Sequence, residues 1–321
     1  MNGVTIVKHK KRRKLKKKVK IGLAIISVFI IVILWVTNSK NEQDVVKANA
    51  VSEELENESE KATEVIEKEE IVKITTDAGQ TLFDETTELN TNYSGNIGLV
   101  LLNKSTNELI EVNADTVFTS ASLYKLYVTY AILTEVDKGN LTLDTAVSDQ
   151  TNATIDSYLR DTITLSVNET AIALAEILGW DVIEEFVQEN GFTETTFNTT
   201  IENGIAVRGT LQTTPRNVTN LLNRLMDGIL LSETSTDYFM GLLADQQLDY
   251  ALNTGLSNTV SFAHKTGILD SVSHDAGIIT DTDGQEYIVV VMSDGWAYAY
   301  EEAKPIFTET GQYIMNYLSA Q

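Results

Sequence analysis

No cysteine occurs anywhere in the 321 residues. A disulfide staple, a thiolate metal site and a cysteine nucleophile are therefore excluded. Histidine is nearly as scarce: His9, His264 and His274 are the whole supply, and no His-Glu-x-x-His is present. No metal is expected on that basis. Walker and Gly-x-Gly-x-x-Gly patterns are missing as well, so no nucleotide or other cofactor is expected. Positive charge is rare and crowded at one end. Residues 1–20 hold ten of the 24 basic residues and no acid. Beyond Lys20 the chain has a net charge of −32 (14 basic against 46 acidic residues). A surface that negative repels nucleic acid, which is not an expected partner.

The basic end leads into Ile21–Val36, 16 residues without a charge. That is slightly under the roughly 20 residues that span a bilayer. Snorkelling of Lys18 and Lys20 on one side and Trp35 on the other covers the difference. The expected order is a cytoplasmic tail over 1–20, a membrane anchor over 21–37 and an extracellular remainder. Secretion after cleavage near Ala48-Asn49-Ala50 is the alternative. Residues 38–91 read as an acidic tether, because the Glu-rich stretch Glu53–Glu70 has too little apolar surface to offset ordering entropy. The folded domain is expected over 92–321.

Within that domain, Asn96–Leu102 and Glu108–Asn113 have strand patterns around a turn-rich gap. Helical periodicity follows over Ser122–Glu135, Ser166–Leu178, Val182–Glu189, Arg216–Met226 and Ser235–Leu243. Strands return at Val260–Lys265, His274–Thr280 and Tyr287–Met292, with Asp283-Gly284 as a hairpin turn. A last helix covers Glu301–Leu318. The expected fold is α/β (α+β): an antiparallel five-stranded sheet flanked by helices, with an inserted all-helical lobe and a cleft between.

Three short motifs carry chemistry. Ser122-Leu123-Tyr124-Lys125 is the one Ser-x-x-Lys in the chain, at the start of a helix. Residues three apart share a helix face, so the Lys125 amine can reach the Ser122 hydroxyl. A hydroxyl attacks only when a base takes its proton, and a lysine serves once its pKa falls. Ser166-Val167-Asn168 opens the next helix, where Ser166 and Glu169 also have the spacing of a capping box. Lys265-Thr266-Gly267 ends a strand, where glycine lets a substrate lie against the strand edge. Its lysine supplies a second cation that could depress Lys125.

In this order and on these elements, the three motifs resemble those of class A β-lactamases and penicillin-binding proteins. The stretches VFTSASLYKLYV and LLADQQLDYALNTGLSNTVSFAHKTG are similar to class A sequences too. The resemblance covers about Asn92 to Gln321 and implies a β-lactamase/transpeptidase-like fold. It further implies that Ser122 forms an acyl-enzyme, with Lys125 acting as or positioning the base. Ser166 would pass a proton to the leaving nitrogen, and Asn168 would hold the substrate amide. Lys265 and Thr266 would bind its carboxylate, beside Gly267. Ser122 and Ile268 N–H groups would form the oxyanion hole.

The sequence departs from the class A pattern in several places. Val167 stands where class A enzymes have Asp, as in transpeptidases. The deacylating Glu has no clean match: Glu202 fits by spacing from Ser166, and Glu194 by its local sequence. No Arg or Lys lies between Ile268 and Ala303 to bind a carboxylate, and His274 could substitute. The implied function is a serine hydrolase acting on β-lactams. The alternatives are a peptidase on D-Ala-ending peptidoglycan peptides and a non-catalytic penicillin-binding envelope sensor.

Overall fold

A computed structural model describes residues 74–93, 95–147 and 152–321. The basic tail, the apolar run and the tether up to residue 73 lie outside these. Among the described residues no helix is long and apolar enough to cross a membrane.

The first described helix, α1 (Asp77–Asn92), falls where a tether was expected. The folded domain therefore begins ahead of Asn92, a correction to the boundary read from composition. Thr76 caps α1 through a hydrogen bond from Gly79 N, and Leu82 and Leu89 are buried. The fully buried Glu108 fixes its entrance, accepting from Thr75 N (2.7 Å), Thr76 N (2.8 Å) and Tyr317 Oη (2.8 Å). An acidic, apolar-poor segment is thus held by two leucines and a distant carboxylate.

Strands β1 (Asn96–Asn103) and β2 (Leu109–Val112) form the first hairpin. The two-residue strand β3 (Phe118–Thr119) leads into a 3-10 turn, Ala121–Leu123, and helix α2 (Tyr124–Asp137). Ten consecutive residues of α2, Tyr124–Leu133, are buried. A helix apolar on all sides belongs in the interior, and α2 is the axis of the helical lobe. Around it come α3 (Ile155–Thr164), α4 (Asn168–Leu178) and α5 (Trp180–Glu189). Helix α3 was not foreseen in the periodicity. The hairpin β4 (Thr200–Glu202) and β5 (Ile205–Val207) and the short β6 (Gln212–Thr213) then lead to α6 (Pro215–Met226) and α7 (Glu233–Ala244).

Strands β7 (Ser261–Leu269), β8 (Val272–Thr280) and β9 (Glu286–Asp294) and helix α8 (Ala299–Leu318) complete the fold. The sheet order is β2-β1-β9-β8-β7, all antiparallel. The expected five-stranded sheet with a helical insert is present. Gly284, at φ +79°, closes the β8–β9 hairpin as Asp283-Gly284 foretold. Side chains alternate across a strand, and β9 supplies both cores. Ile288, Val290 and Met292 pack with the helical lobe; Tyr287, Val289 and Val291 pack with α1 and α8. At the far edge, β7 keeps one side unpaired and runs past the turn before α2.

Candidate active site

Ser122 sits in the 3-10 turn, half-buried. Tertiary contacts force the turn. Ala121, just before the serine, has φ +44°, a left-handed conformation that a residue with a Cβ adopts at a cost. Ser120 N donates to Leu211 O (2.8 Å), and β3 pairs with β6. From beneath, His274 Nε2 donates to Thr119 O (2.7 Å) while its Nδ1 accepts from Ser293 N (3.2 Å). Burial lowers the His274 pKa to about 4, against its hydrogen bonds, so the ring is neutral with its proton on Nε2. Both nitrogens are committed to backbone and the residue is fully buried. His274 is a neutral prop under the Ser122 turn and offers no cation there.

Lys125, one turn along α2, is fully buried. Its Nζ donates to Ser122 Oγ (3.1 Å), Ser166 Oγ (3.1 Å), Ser166 O (2.6 Å) and Asn168 Oδ1 (2.9 Å). Burial, opposed by Glu169, lowers its pKa to about 8. Desolvation thus does what the sequence reading assigned to a second cation.

Ser166 also has a left-handed backbone, φ +58°, and does not cap the helix. Val167 occupies the cap position without a side-chain bond, so the capping-box spacing is not used. The strained backbone turns Ser166 Oγ inward, where it also accepts from Lys265 Nζ (2.9 Å). A hydroxyl that accepts twice has its one hydrogen free to donate elsewhere. Asn168 Oδ1 is held by Lys125, and its amide nitrogen has no hydrogen-bond partner among the described residues.

Lys265, on β7, is fully buried and donates also to Thr266 O (2.8 Å). Burial and then the nearby Lys125 charge push its pKa well below the usual lysine value, against Asp275. Gly267 allows the closest approach of strand and turn. A Cβ there would stand 3.2 Å from Ser122 N and 3.3 Å from the Ala121 Cβ. Ile268 follows, half-buried at the same edge. Residues 122, 125, 166, 168 and 265 thus form one hydrogen-bonded cluster, with 266–268 along its edge.

Glu202 and Glu194 are not in the cluster. Both are exposed, Glu202 on the β4–β5 hairpin, and neither hydrogen-bonds Ser122 or Lys125 among the described residues. The carboxylate that organises this region is Glu184 of α5, which the sequence reading missed. Its Oε1 accepts from Thr196 Oγ1, Phe197 N (2.9 Å) and Asn198 N (3.1 Å), and its Oε2 from Thr199 N (3.0 Å). Burial alone would raise its pKa, and these donors bring it below the usual value. No local signal marks Glu184, because its partners are 12 to 15 residues away.

Residues 81–318 match the β-lactamase enzyme family. The chain belongs to that family. It is 23% identical to the β-lactamase VEB-1 of Pseudomonas aeruginosa over 253 residues, 69% of this chain and 85% of VEB-1. Among solved structures it is similar to a mutant of PBP-A, solved as an acyl-enzyme complex with penicillin G. There the TM-score is 0.65 at 21% identity, covering 75% of this chain and 97% of that one. It is similar also to a mutant class A β-lactamase of the last common ancestor of Gram-negative bacteria. That match has a TM-score of 0.65 at 23% identity, over 74% and 98% of the two chains. These likenesses establish the β-lactamase and penicillin-binding fold.

Proposed function

We propose that this protein is a serine acyl-transfer enzyme in which β-lactams and D-Ala-ending peptides acylate Ser122. One observation carries the reading: two buried lysines converge on the Ser166 hydroxyl, and one of them also holds the Ser122 hydroxyl. With a pKa near 8, Lys125 has an appreciable neutral fraction at physiological pH and can take the Ser122 proton as the carbonyl is attacked. An anionic substrate group beside Lys265 favours its protonated form, and that charge in turn disfavours the proton on Lys125. The donated Ser166 hydrogen goes to the departing nitrogen, and Lys125 restores it. By the family resemblance, Ser122 N and Ile268 N would stabilise the oxyanion, each worth about 3 kcal/mol.

A specific observation favours the peptidase reading over a fast β-lactamase. Rapid hydrolysis of the ester needs a base on its open face, and the two glutamates proposed for that role are exposed. We therefore expect prompt acylation by penicillin and slow release. The sequence reading also supports anchoring by residues 21–37 with the domain outside the cell, where both substrate classes are met. Protease added to intact cells should then degrade the domain; its protection would refute that placement.

Intact mass after mixing with benzylpenicillin tests the function. The expected result is an adduct of one penicillin within minutes that persists for hours, and none in Ser122→Ala. No adduct on the parent would refute acyl transfer. An adduct that vanishes within seconds while penicillin is consumed would make the protein a β-lactamase.

A further inference from the structure

Two fully buried lysines meet at the Ser166 hydroxyl, and no carboxylate joins them. Every hydrogen bond of Lys125 and Lys265 goes to a hydroxyl, a carbonyl or an amide oxygen, and neither forms an ion pair among the described residues. A buried cation without a counter-charge is costly. Only two of the described acids are fully buried, Glu108 and Asp275. Glu108 serves the entrance to α1. Asp275 stands on β8 directly across from Thr266, one place along the register from Lys265. Cross-strand partners share a face and neighbours along a strand do not, so Asp275 lies behind Lys265 on the other side of the sheet.

The contacts of Asp275 show what charge stands there. Its Oδ2 accepts from Leu252 N (3.0 Å) in the 3-10 turn Leu252–Thr254, and its Oδ1 meets His264 Nδ1 (2.7 Å). The other ring nitrogen, His264 Nε2, meets Asn253 Nδ2 (3.3 Å). That amide has a fixed direction, because the same Nδ2 donates to Asp249 Oδ1 (2.7 Å). His264 Nε2 therefore accepts. The ring is neutral and its one hydrogen lies on Nδ1, donated to Asp275. The buried pair as a whole holds one negative charge. Phe262 stacks on the ring at 4.4 Å, and Val291 of β9, the other cross-strand partner of Asp275, is apolar. Of the other titratable groups around the pair, Asp249 is exposed and 3.7 Å from His264 Nε2. Burial keeps the Tyr250 phenol, packed on Tyr300 of α8, in its neutral form.

We propose that Asp275 and His264 are positioning residues for the proton of the site: their single buried charge holds that proton on Lys265 and so leaves Lys125 free to act as the base. The inference rests on the acyl-transfer reading above. Two cations this close disfavour one another, so a proton settled on Lys265 makes Lys125 harder to protonate. Burial and the Lys125 charge drive the proton off Lys265, and Asp275 is the group that acts to keep it there. A carboxylate inside the cluster would draw the Lys265 amine away from Ser166. One behind the sheet supplies the charge and leaves the amine in place.

Two measurements test this. Nitrogen NMR of the histidine rings in the full chain, at about pH 8 where Lys125 changes charge, should show one ring with its hydrogen on Nδ1 alone. That ring is His264; His274 has its hydrogen on Nε2. If no ring shows the Nδ1 pattern, the pair holds no net charge and the proposal is overturned. The second measurement is the pH profile of acylation by benzylpenicillin. Asp275→Asn keeps the shape and removes the charge, and its inflection should lie about one pH unit above the parent's. Acylation at about pH 7 is then about ten-fold slower, with the high-pH plateau unchanged. A merely structural loss lowers the plateau and leaves the inflection in place, and that result also overturns the proposal. Should Asp275→Asn fail to fold, the histidine pattern of the parent decides alone. A parent that forms no penicillin adduct refutes acyl transfer and this inference with it. A parent that is acylated, beside an unmoved inflection in Asp275→Asn, refutes the inference alone.

Discussion

Two walls of the fold are built differently. On the wall of α2, α4 and β7, the two lysines are buried and hydrogen-bonded: Lys125 makes four such bonds and Lys265 two. On the wall formed by residues 194–207, Glu194 and Glu202 stand exposed, and the backbone depends on Glu184 from behind. The first wall holds its side chains so tightly that two residues, Ala121 and Ser166, accept left-handed backbones. Strain of this kind persists only where the surroundings over-determine it. The second wall fixes its backbone while leaving its carboxylates to solvent. On the proposed function, acylation chemistry is therefore preorganised, and deacylation chemistry is not.

Breaking the first wall should have the largest effect. Lys125→Ala is expected to slow penicillin acylation by about 10³-fold, within the range for loss of a general base. Because its folded pKa is lowered to about 8, the parent's acylation rate should climb as pH rises through about 8 and level off above. Stopped-flow acylation from pH 6 to 9.5 checks this. A rate flat across that range would remove Lys125 from the role of base.

An intermediate effect is expected behind the second wall. Glu184→Ala leaves the backbone N–H groups of Phe197 and Thr199 without their acceptor and takes one of two from Asn198 N. We expect a loss of about 2 kcal/mol and a melting temperature lower by about 5 °C, measured by calorimetry. Its acylation rate should fall far less than that of Lys125→Ala. If acylation fell as steeply, the two walls would be one cooperative unit and the contrast would dissolve.

The smallest effect is assigned to Glu202→Gln and Glu194→Gln. Each should change the lifetime of the penicillin adduct by less than about two-fold, since a solvated carboxylate contributes little as a base. A variant that traps an otherwise short-lived adduct would identify its residue as the base and bring the second wall into the chemistry.

The sheet was readable because its strands carry local signals. Val, Ile and Leu runs are bounded by Asn103–Asn107 and by Asp283-Gly284. Helix α1 was unreadable for the opposite reason. Its few apolar residues, Leu82 and Leu89 among them, gain their weight only against α8 and the sheet. Glu108, which accepts from the residues at its entrance, is 32 residues from Thr76. Glu202 was chosen on spacing, which fixes distance along the chain and says nothing about which way a hairpin residue faces.

By itself the sequence determined the chemistry that lies within one helical turn. Ser122 and Lys125 lie three apart where a 3-10 turn runs into a helix, a spacing that brings their side chains to one face. It determined the family as well, since three motifs in one order are far more specific than any one alone. Only the tertiary structure decided which groups are catalytically useful. Lys265 reaches Ser166 across 99 residues, Lys125 loses proton affinity because it is buried, and His274 is neutral because β8 buries it. Burial is a property of the packed fold, and desolvation, which sets these charges, has no local signature in a chain.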